Sequence, residues 1–394
     1  MRTSVIMCIL LAVVTSAVAA DRHHSVGSFK IYSADSSSYI RLQLTAQMRA
    51  TYTSVDKGSA ADRSNTFDMK ARRIRPTLSG QLLDPRLTFK LHFSMAPGSI
   101  ELLDLYFNYA WRKNLQFRSG VFKVPFTDYR IGSFSRLALP DWAVVTKYFG
   151  AERQWGFALH NGYESMPRWG YVIGLFSGAN SRASHAVGLP KLYQVKLVNP
   201  SDLSGDGTAQ EFQPEAFAAV FYSSPEYGQA TDVDETRGGF RYRVGVSAAY
   251  DFDPVRHVDM VSRVAPEAVV KYRGLAARAV GYLAWSEVGS HDCTEQTLTG
   301  WFGQAAYRWD KTFEVFWHFA RVDLDDKLRD DVADFTETTT NKIITYEQEA
   351  RLGLNIYLDR HAMKIQSDIG QVRKQYPNYD RKNFEFRSQV QLAF

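Results

Sequence analysis

Of the residues that could act as nucleophile and base, His160, Asn161 and Ser165 sit near a single turn. A hydrolase would need a serine on a strained elbow, Gly-x-Ser-x-Gly, with a base held beside it. Neither spacing is present, so the trio reads as chance proximity and no catalytic residue is expected. Metal chemistry is no better supported. His23-His24 stands alone, and the run Asp323-Leu324-Asp325-Asp326 reads as a solvated loop rather than a calcium site. No cofactor is expected, and nothing points to nucleic acid.

What recurs along the chain is arginine or lysine in the polar phase of alternating segments. Arg41, Arg49, Arg73, Arg75, Lys90, Arg118, Arg241, Arg243, Arg308, Arg351, Lys364 and Arg387 share the polar phase of their segments, and Lys123 ends one of them. Asp104, Asp251, Glu314, Glu347, Glu349, Asp368 and Glu385 share the same phase, so cations outnumber acids there. Such a surface performs no covalent step. If it lines a wet passage, it concentrates anions and repels cations, and the planar guanidinium fork can hold phosphate or carboxylate through paired hydrogen bonds.

The elements that carry these residues are strands. In Tyr39–Tyr52, residues Ile40, Leu42, Leu44, Ala46, Met48, Ala50 and Tyr52 alternate with Arg41, Gln43, Thr45, Gln47, Arg49 and Thr51. Successive side chains of a strand face opposite ways, so this segment has one apolar and one polar face, over a length unusual in soluble sheets. Segments of this kind start near residues 39, 66, 86, 100, 115, 153, 168, 214, 239, 265, 275, 297, 312, 343, 361 and 382. About sixteen such strands with alternately short and long connections predict an all-β fold, a transmembrane antiparallel barrel whose apolar phase meets lipid. The connection at 224–238 is too long for the short-turn side, which leaves room for a miscount of one hairpin around 200–240. Tyr106, Tyr109 and Trp111, Trp155 and Trp169 beside one turn, and Tyr307 with Trp309 read as interfacial aromatics.

The N-terminus reads as an export signal. Arg2 precedes an apolar run, Val5 to Val14, followed by Ala17-Val18-Ala19, so residues 1–20 are expected to be cleaved. Residues 21–38 would be a short periplasmic segment and 39–394 the barrel. Cys8 falls in the signal, leaving Cys293 without an internal partner. The loop from Thr127 to Glu152 is expected to fold inward as a constriction. It carries Arg130, Arg136 and Lys147 among Phe134, Leu137, Leu139 and Trp142, apolar residues that an outer loop rarely needs; packing on a neighbouring subunit is the other reading.

Several short motifs, in order, resemble the phosphate-selective porin O and P family. They are Phe67 with Arg72-Arg73-Ile74-Arg75 and Gly80, Phe122-Lys123-Val124-Pro125-Phe126, Arg153 with Gly156 and Gly162, and Gly174-Leu175-Phe176 with Gly178. Gly300-Trp301-Phe302-Gly303-Gln304, Ala320-Arg321-Val322-Asp323 and Gly353-Leu354-Asn355-Ile356-Tyr357-Leu358 continue the series. The similarity implies a sixteen-stranded outer-membrane barrel, usually a homotrimer, passing small anions such as phosphate. It also implies contact with outer-membrane lipids and lipopolysaccharide, and recognition of the terminal Phe394 by the barrel assembly machinery. The chain departs from the family pattern at Ala218-Ala219-Val220 and Gly281-Tyr282, and has no room for a coiled coil between Asp21 and Ser38. A general or sugar-passing porin, with Tyr106, Tyr129 and Trp142 stacking on sugar rings, and a plugged structural or adhesive barrel are the alternatives.

Overall fold

The computed structural model describes residues 29–56, 63–95, 100–151, 153–177, 214–228, 231–251, 262–286, 296–324, 345–376 and 380–394. The expected signal segment, His23-His24, Cys293 and Asp325-Asp326 lie outside the described residues.

A short first strand, β1 (Phe29–Tyr32), precedes β2 (Tyr39–Asp56), β3 (Arg63–Gln81), β4 (Leu87–Ser94), β5 (Glu101–Arg112), β6 (Leu115–Lys123), β7 (Arg153–His160) and β8 (Trp169–Phe176). There follow β9 (Glu215–Ser223), β10 (Arg241–Asp251), β11 (Ser262–Tyr272), β12 (Leu275–Ser286), β13 (Gln296–Arg308), β14 (Phe313–Asp323), β15 (Tyr346–Asp359), β16 (Met363–Gln375) and β17 (Asp380–Ala393). Each strand from β2 to β17 pairs antiparallel with its sequence neighbours, and β17 returns to β2 through Ala393↔Thr45 to Phe384↔Ser54. The seam is finished by Phe394, whose N–H and C=O exchange hydrogen bonds with Leu44 at 2.9 and 2.7 Å. The sheet therefore has no open edge among these strands, as a membrane span requires. β1 lies within the expected N-terminal segment and pairs with the start of β2, Phe29↔Leu42 to Tyr32↔Tyr39, just beyond the point where β17 ends.

All sixteen barrel strands begin within three residues of the positions read from alternation. The suspected miscount is resolved: β8 pairs directly with β9, and β9 with β10, so no hairpin is missing. In the long connection between β9 and β10, Thr231, Asp232, Val233 and Asp234 are instead all buried.

The outer surface is apolar. Leu42, Met48, Phe107, Trp155, Ile173, Val246, Trp301, Trp317, Leu352, Ile369 and Val390 are exposed there, and no helix of the described residues is long and apolar enough to cross a membrane. Crossing is by strands. Trp155 and Trp169 mark opposite rims rather than one turn, because Trp155 lies near the far end of β7 and Trp169 opens β8. Tyr106 is no girdle residue: it faces inward beneath Arg118.

One wall of the interior is apolar as well. Phe176, Phe217, Phe221, Tyr282, Leu298, Phe302 and Phe316 point inward from β8 to β14 and are buried by the inward loop. Half the barrel is thus a packed core.

Candidate functional site

The loop between β6 and β7 contains a helical turn α1 (Asp128–Ile131), a 3-10 turn at Phe134–Arg136 and a second helical turn α2 (Thr146–Phe149). Phe134, Leu137 and Leu139 are buried inside the lumen, and so are Phe126, Tyr129, Val144 and Phe149. Gly300 is what admits Phe149: a Cβ there would lie 2.4 Å from the ring carbon Cε2. The loop backbone is fastened to the wall by side chains. Lys364 and Gln366 donate to Leu137 O at 2.9 and 3.0 Å, Asn355 to Ala138 O at 2.9 Å, and Glu349 accepts from Val144 N at 2.6 Å.

Charge holds the loop at two further points. Asp128 accepts from Arg243 at 3.1 Å and Arg278 at 3.2 Å. On the opposite side Asp141 meets three arginines: Arg49 at 2.8 Å, Arg73 at 2.6 Å and Arg72 at 3.0 Å. Arg72 and Arg73 can both face inward because β3 carries a bulge, where Gln47 pairs with Arg73 but Met48 with Ala71. A bulge re-aims one side chain out of the strict alternation. Burial works to raise the Asp141 carboxyl, but Arg73, Arg49 and Arg72 outweigh it and hold it well below the ordinary carboxylate range.

Between the loop and β3 to β7 lies a cavity of about 130 Å³, lined in part by Arg75, Lys90, Arg118, Lys123 and Arg153. Asp104 and Glu164 are the carboxylates of that lining. Asp104 is occupied by Arg153 at 2.5 Å, His92 at 2.9 Å and Lys90 at 3.3 Å. Glu164 takes Arg118 through both nitrogens, at 3.1 and 2.9 Å, while the guanidinium stacks 4.4 Å from the Tyr106 ring centroid. Arg75 and Lys123 remain. Among the described residues neither has a carboxylate within ion-pair distance: Arg75 lies over the Phe134 ring at 4.6 Å, and Lys123 donates to Arg130 O and Gly132 O at 3.1 and 3.3 Å. Beside them Gly120, at φ +131°, lets β6 approach β5 where a side chain would strike Leu105 O.

The residues read from the sequence thus separate into groups. Arg75, Lys90, Arg118 and Lys123 converge on the cavity. Arg49 and Arg73 clamp Asp141, Arg243 holds Asp128, and Arg351 pairs with Glu349 at 3.0 Å and Glu385 at 2.7 Å. Arg241 binds Asp234 at 2.5 Å, and Arg308 donates to Asp310 O at 3.0 Å; both serve connections on the short-turn side. Arg41 is half-buried on β2. In the loop, Arg130 stacks on Trp142 at 4.5 Å, Lys147 reaches Glu347 at 3.5 Å, and Arg136 ends the 3-10 turn. Arg73 is thus committed to Asp141, whereas Arg75 and Lys123 face the cavity.

Arg72, Arg153, Glu164 and Arg278 escape the sequence reading of the lumen. Arg153 opens a strand in the inward phase and could have been found by alternation; Arg72 is hidden by the bulge, and Glu164 lies in a turn. The trio His160, Asn161 and Ser165 is structural. His160 is within 2.7 Å of Asn108 Oδ1 and accepts from Gly162 N at 3.0 Å, Asn161 donates to Trp169 O, and Ser165 donates to Gly162 O. Of the rings considered for sugar stacking, Tyr129 is buried between Trp142 and Phe302, Tyr106 lies under Arg118 at the cavity wall, and Trp142 is half-buried.

No family model matches the chain, and no curated protein matches it in sequence. Its fold is similar to those of many solved chains, three of which follow. The outer membrane channel DcaP of Acinetobacter baumannii is 10% identical over 92% of this chain and 99% of its own, with a TM-score of 0.58. The anion-selective porin from Comamonas acidovorans is 10% identical over 91% and 100%, with a TM-score of 0.57. OprB of Pseudomonas putida is 9% identical over 90% and 94%, with a TM-score of 0.53. At such identity the likeness concerns the fold: the chain has the sixteen-stranded closed barrel of outer-membrane porins. None of the three singles out the phosphate-selective O and P family.

Proposed function

We propose that the chain is a passive outer-membrane channel that admits small anions through the opening between the inward loop and β3–β7. The observation that carries this reading is the cation excess of that opening. Five cations face two carboxylates, and those carboxylates are already occupied by Arg153, Lys90, His92 and Arg118. Arg75 and Lys123 therefore keep an uncompensated positive potential in a narrow passage, where mobile counterions screen poorly. An anion is concentrated there and a cation repelled.

The anion-selective porin among the structural neighbours supports the same reading. Phosphate is the finer proposal: the Arg75 fork suits paired phosphate oxygens. A homotrimer, contact with lipopolysaccharide and delivery by the barrel assembly machinery are proposed on the resemblance alone. A general porin without phosphate preference uses the same cations. Reversal potentials in a potassium chloride gradient across a planar bilayer test the channel and its sign. The expected value lies toward the chloride equilibrium potential, and a value toward potassium overturns anion preference. Block of chloride current by millimolar phosphate would favour the finer proposal, and its absence the general porin.

A further inference from the structure

The connection between β9 and β10 behaves unlike a turn on the short-turn side of a barrel. Such turns are brief and solvent-facing. Here Thr231, Asp232, Val233 and Asp234 are buried. Asp234 binds Arg241 at 2.5 Å and accepts from Gly274 N at 2.9 Å, and Thr231 accepts from Lys271 at 3.2 Å. Glu235 lies 3.0 Å from His361, in the turn between β15 and β16, far around the wall from β10. Asp232 meets the inward loop itself, accepting from Ala138 N at 3.4 Å.

Arg278 of β12 joins the two intruding segments. Its guanidinium lies 3.3 Å from Asp232 of the connection, 3.2 Å from Asp128 of the inward loop and 3.4 Å from Glu267 of the wall. Ordering a connection against a lumen wall costs conformational entropy that a solvated turn keeps. Buried charged contacts of this kind offset that cost only when every partner is present. Each is supplied here by a different element.

We infer that the described stretch 231–236 of this connection is a second constriction, entering from the side opposite the inward loop and fastened to it through Arg278. It sets which half of the lumen a solute can use. The inward loop packs on the wall from β8 to β17 and also borders the cavity with Ile131 and Phe134, whereas none of the described residues of the connection lines that cavity against β3–β7. A solute crossing the barrel is thereby directed past Arg75 and Lys123 rather than along the opposite wall. The inference rests on the channel reading above, but it can stand or fall separately.

The test replaces residues 231–236 with alternating glycine and serine in the full chain, with heat-modifiable mobility on gels as the check of barrel assembly. Single-channel conductance should rise at least about twofold, as expected when a second path of similar width opens in parallel, and anion preference should fall because that path avoids Arg75 and Lys123. A wild type that does not conduct, with a variant that does, supports the constriction and overturns the proposed open channel. Two assembled but silent proteins overturn both. Should the replacement fail to assemble, Asp232→Asn decides: more frequent excursions to higher conductance support the inference, and a wild-type current record overturns it.

Discussion

Asp141→Asn should release the inward loop from β2 and β3 without removing any arginine. In the native protein one carboxylate faces three guanidinium groups at 2.6 to 3.0 Å, with Arg73 only 5% exposed and Asp141 18%. Breaking a buried ion pair by deleting one partner costs about 3 to 5 kcal/mol, because the remaining charges stay buried and unpaired. Arg72 is 39% exposed, so its share is screened by water and the lower part of that range, about 3 kcal/mol, is the better figure here. At about 1.4 kcal/mol per factor of ten, the detached loop becomes roughly a hundredfold more populated. Single-channel records should then show frequent transitions to a wider state. Adding Arg72→Gln should partly reverse the effect by relieving repulsion among the arginines. Acid should act as the substitution does, within a defined window. The carboxyl is depressed in the folded protein, so its contribution is complete above the unfolded value of about 3.9 and is lost as pH falls through the lower native value. Wild-type records should hence be steady from pH 7 to about 4. Current records of the Asp141→Asn protein indistinguishable from wild type, in an assembled barrel, would refute the clamp.

Other consequences are more local. Leu352→Arg places charge on the lipid face, where it should cost about 2 to 4 kcal/mol and reduce assembled barrel in outer membranes, while Gln43→Arg in the polar phase should assemble normally; equal yields would argue against the assigned faces. Gly300→Val should drive Phe149 from the wall, an overpacking cost of about 1 to 3 kcal/mol read as lower thermal stability and noisier current, and an unchanged melting transition would contradict that role. Deleting Phe394 removes both seam hydrogen bonds to Leu44 and should lower the yield of heat-modifiable protein.

Strand positions were legible because the outer face is uniformly apolar and the period of two is enforced by lipid on one side and water on the other. The reading blurs where that contrast fails. In β9, Phe217, Ala219 and Phe221 face the inward loop while Ala218 and Val220 face lipid, so both phases are apolar and the neighbouring connection looks like a miscounted hairpin. Bulges blur it differently. The one at Arg72 turns two successive arginines inward, a fact carried by pairing register rather than by residue type. The site was legible as a list of cations and not as a distribution of charge. Whether Arg73 or Arg75 remains uncompensated depends on Asp141, far away in sequence, and no alternation pattern reports that contact.

Of the five cations lining the opening, Arg75 and Lys123, which have no carboxylate within ion-pair distance among the described residues, are what give it its sign. A chloride ion roughly 5 Å from either charge in a water-filled passage gains about 0.8 kcal/mol, and more where the medium is less polar. Removing both should therefore lower the anion-to-cation permeability ratio by about tenfold or more. The decisive comparison is the reversal potential of Arg75→Gln/Lys123→Gln beside wild type in the same potassium chloride gradient. A shift from near the chloride equilibrium potential toward zero is expected; identical reversal potentials for the two proteins would show that the sign of the opening is set elsewhere.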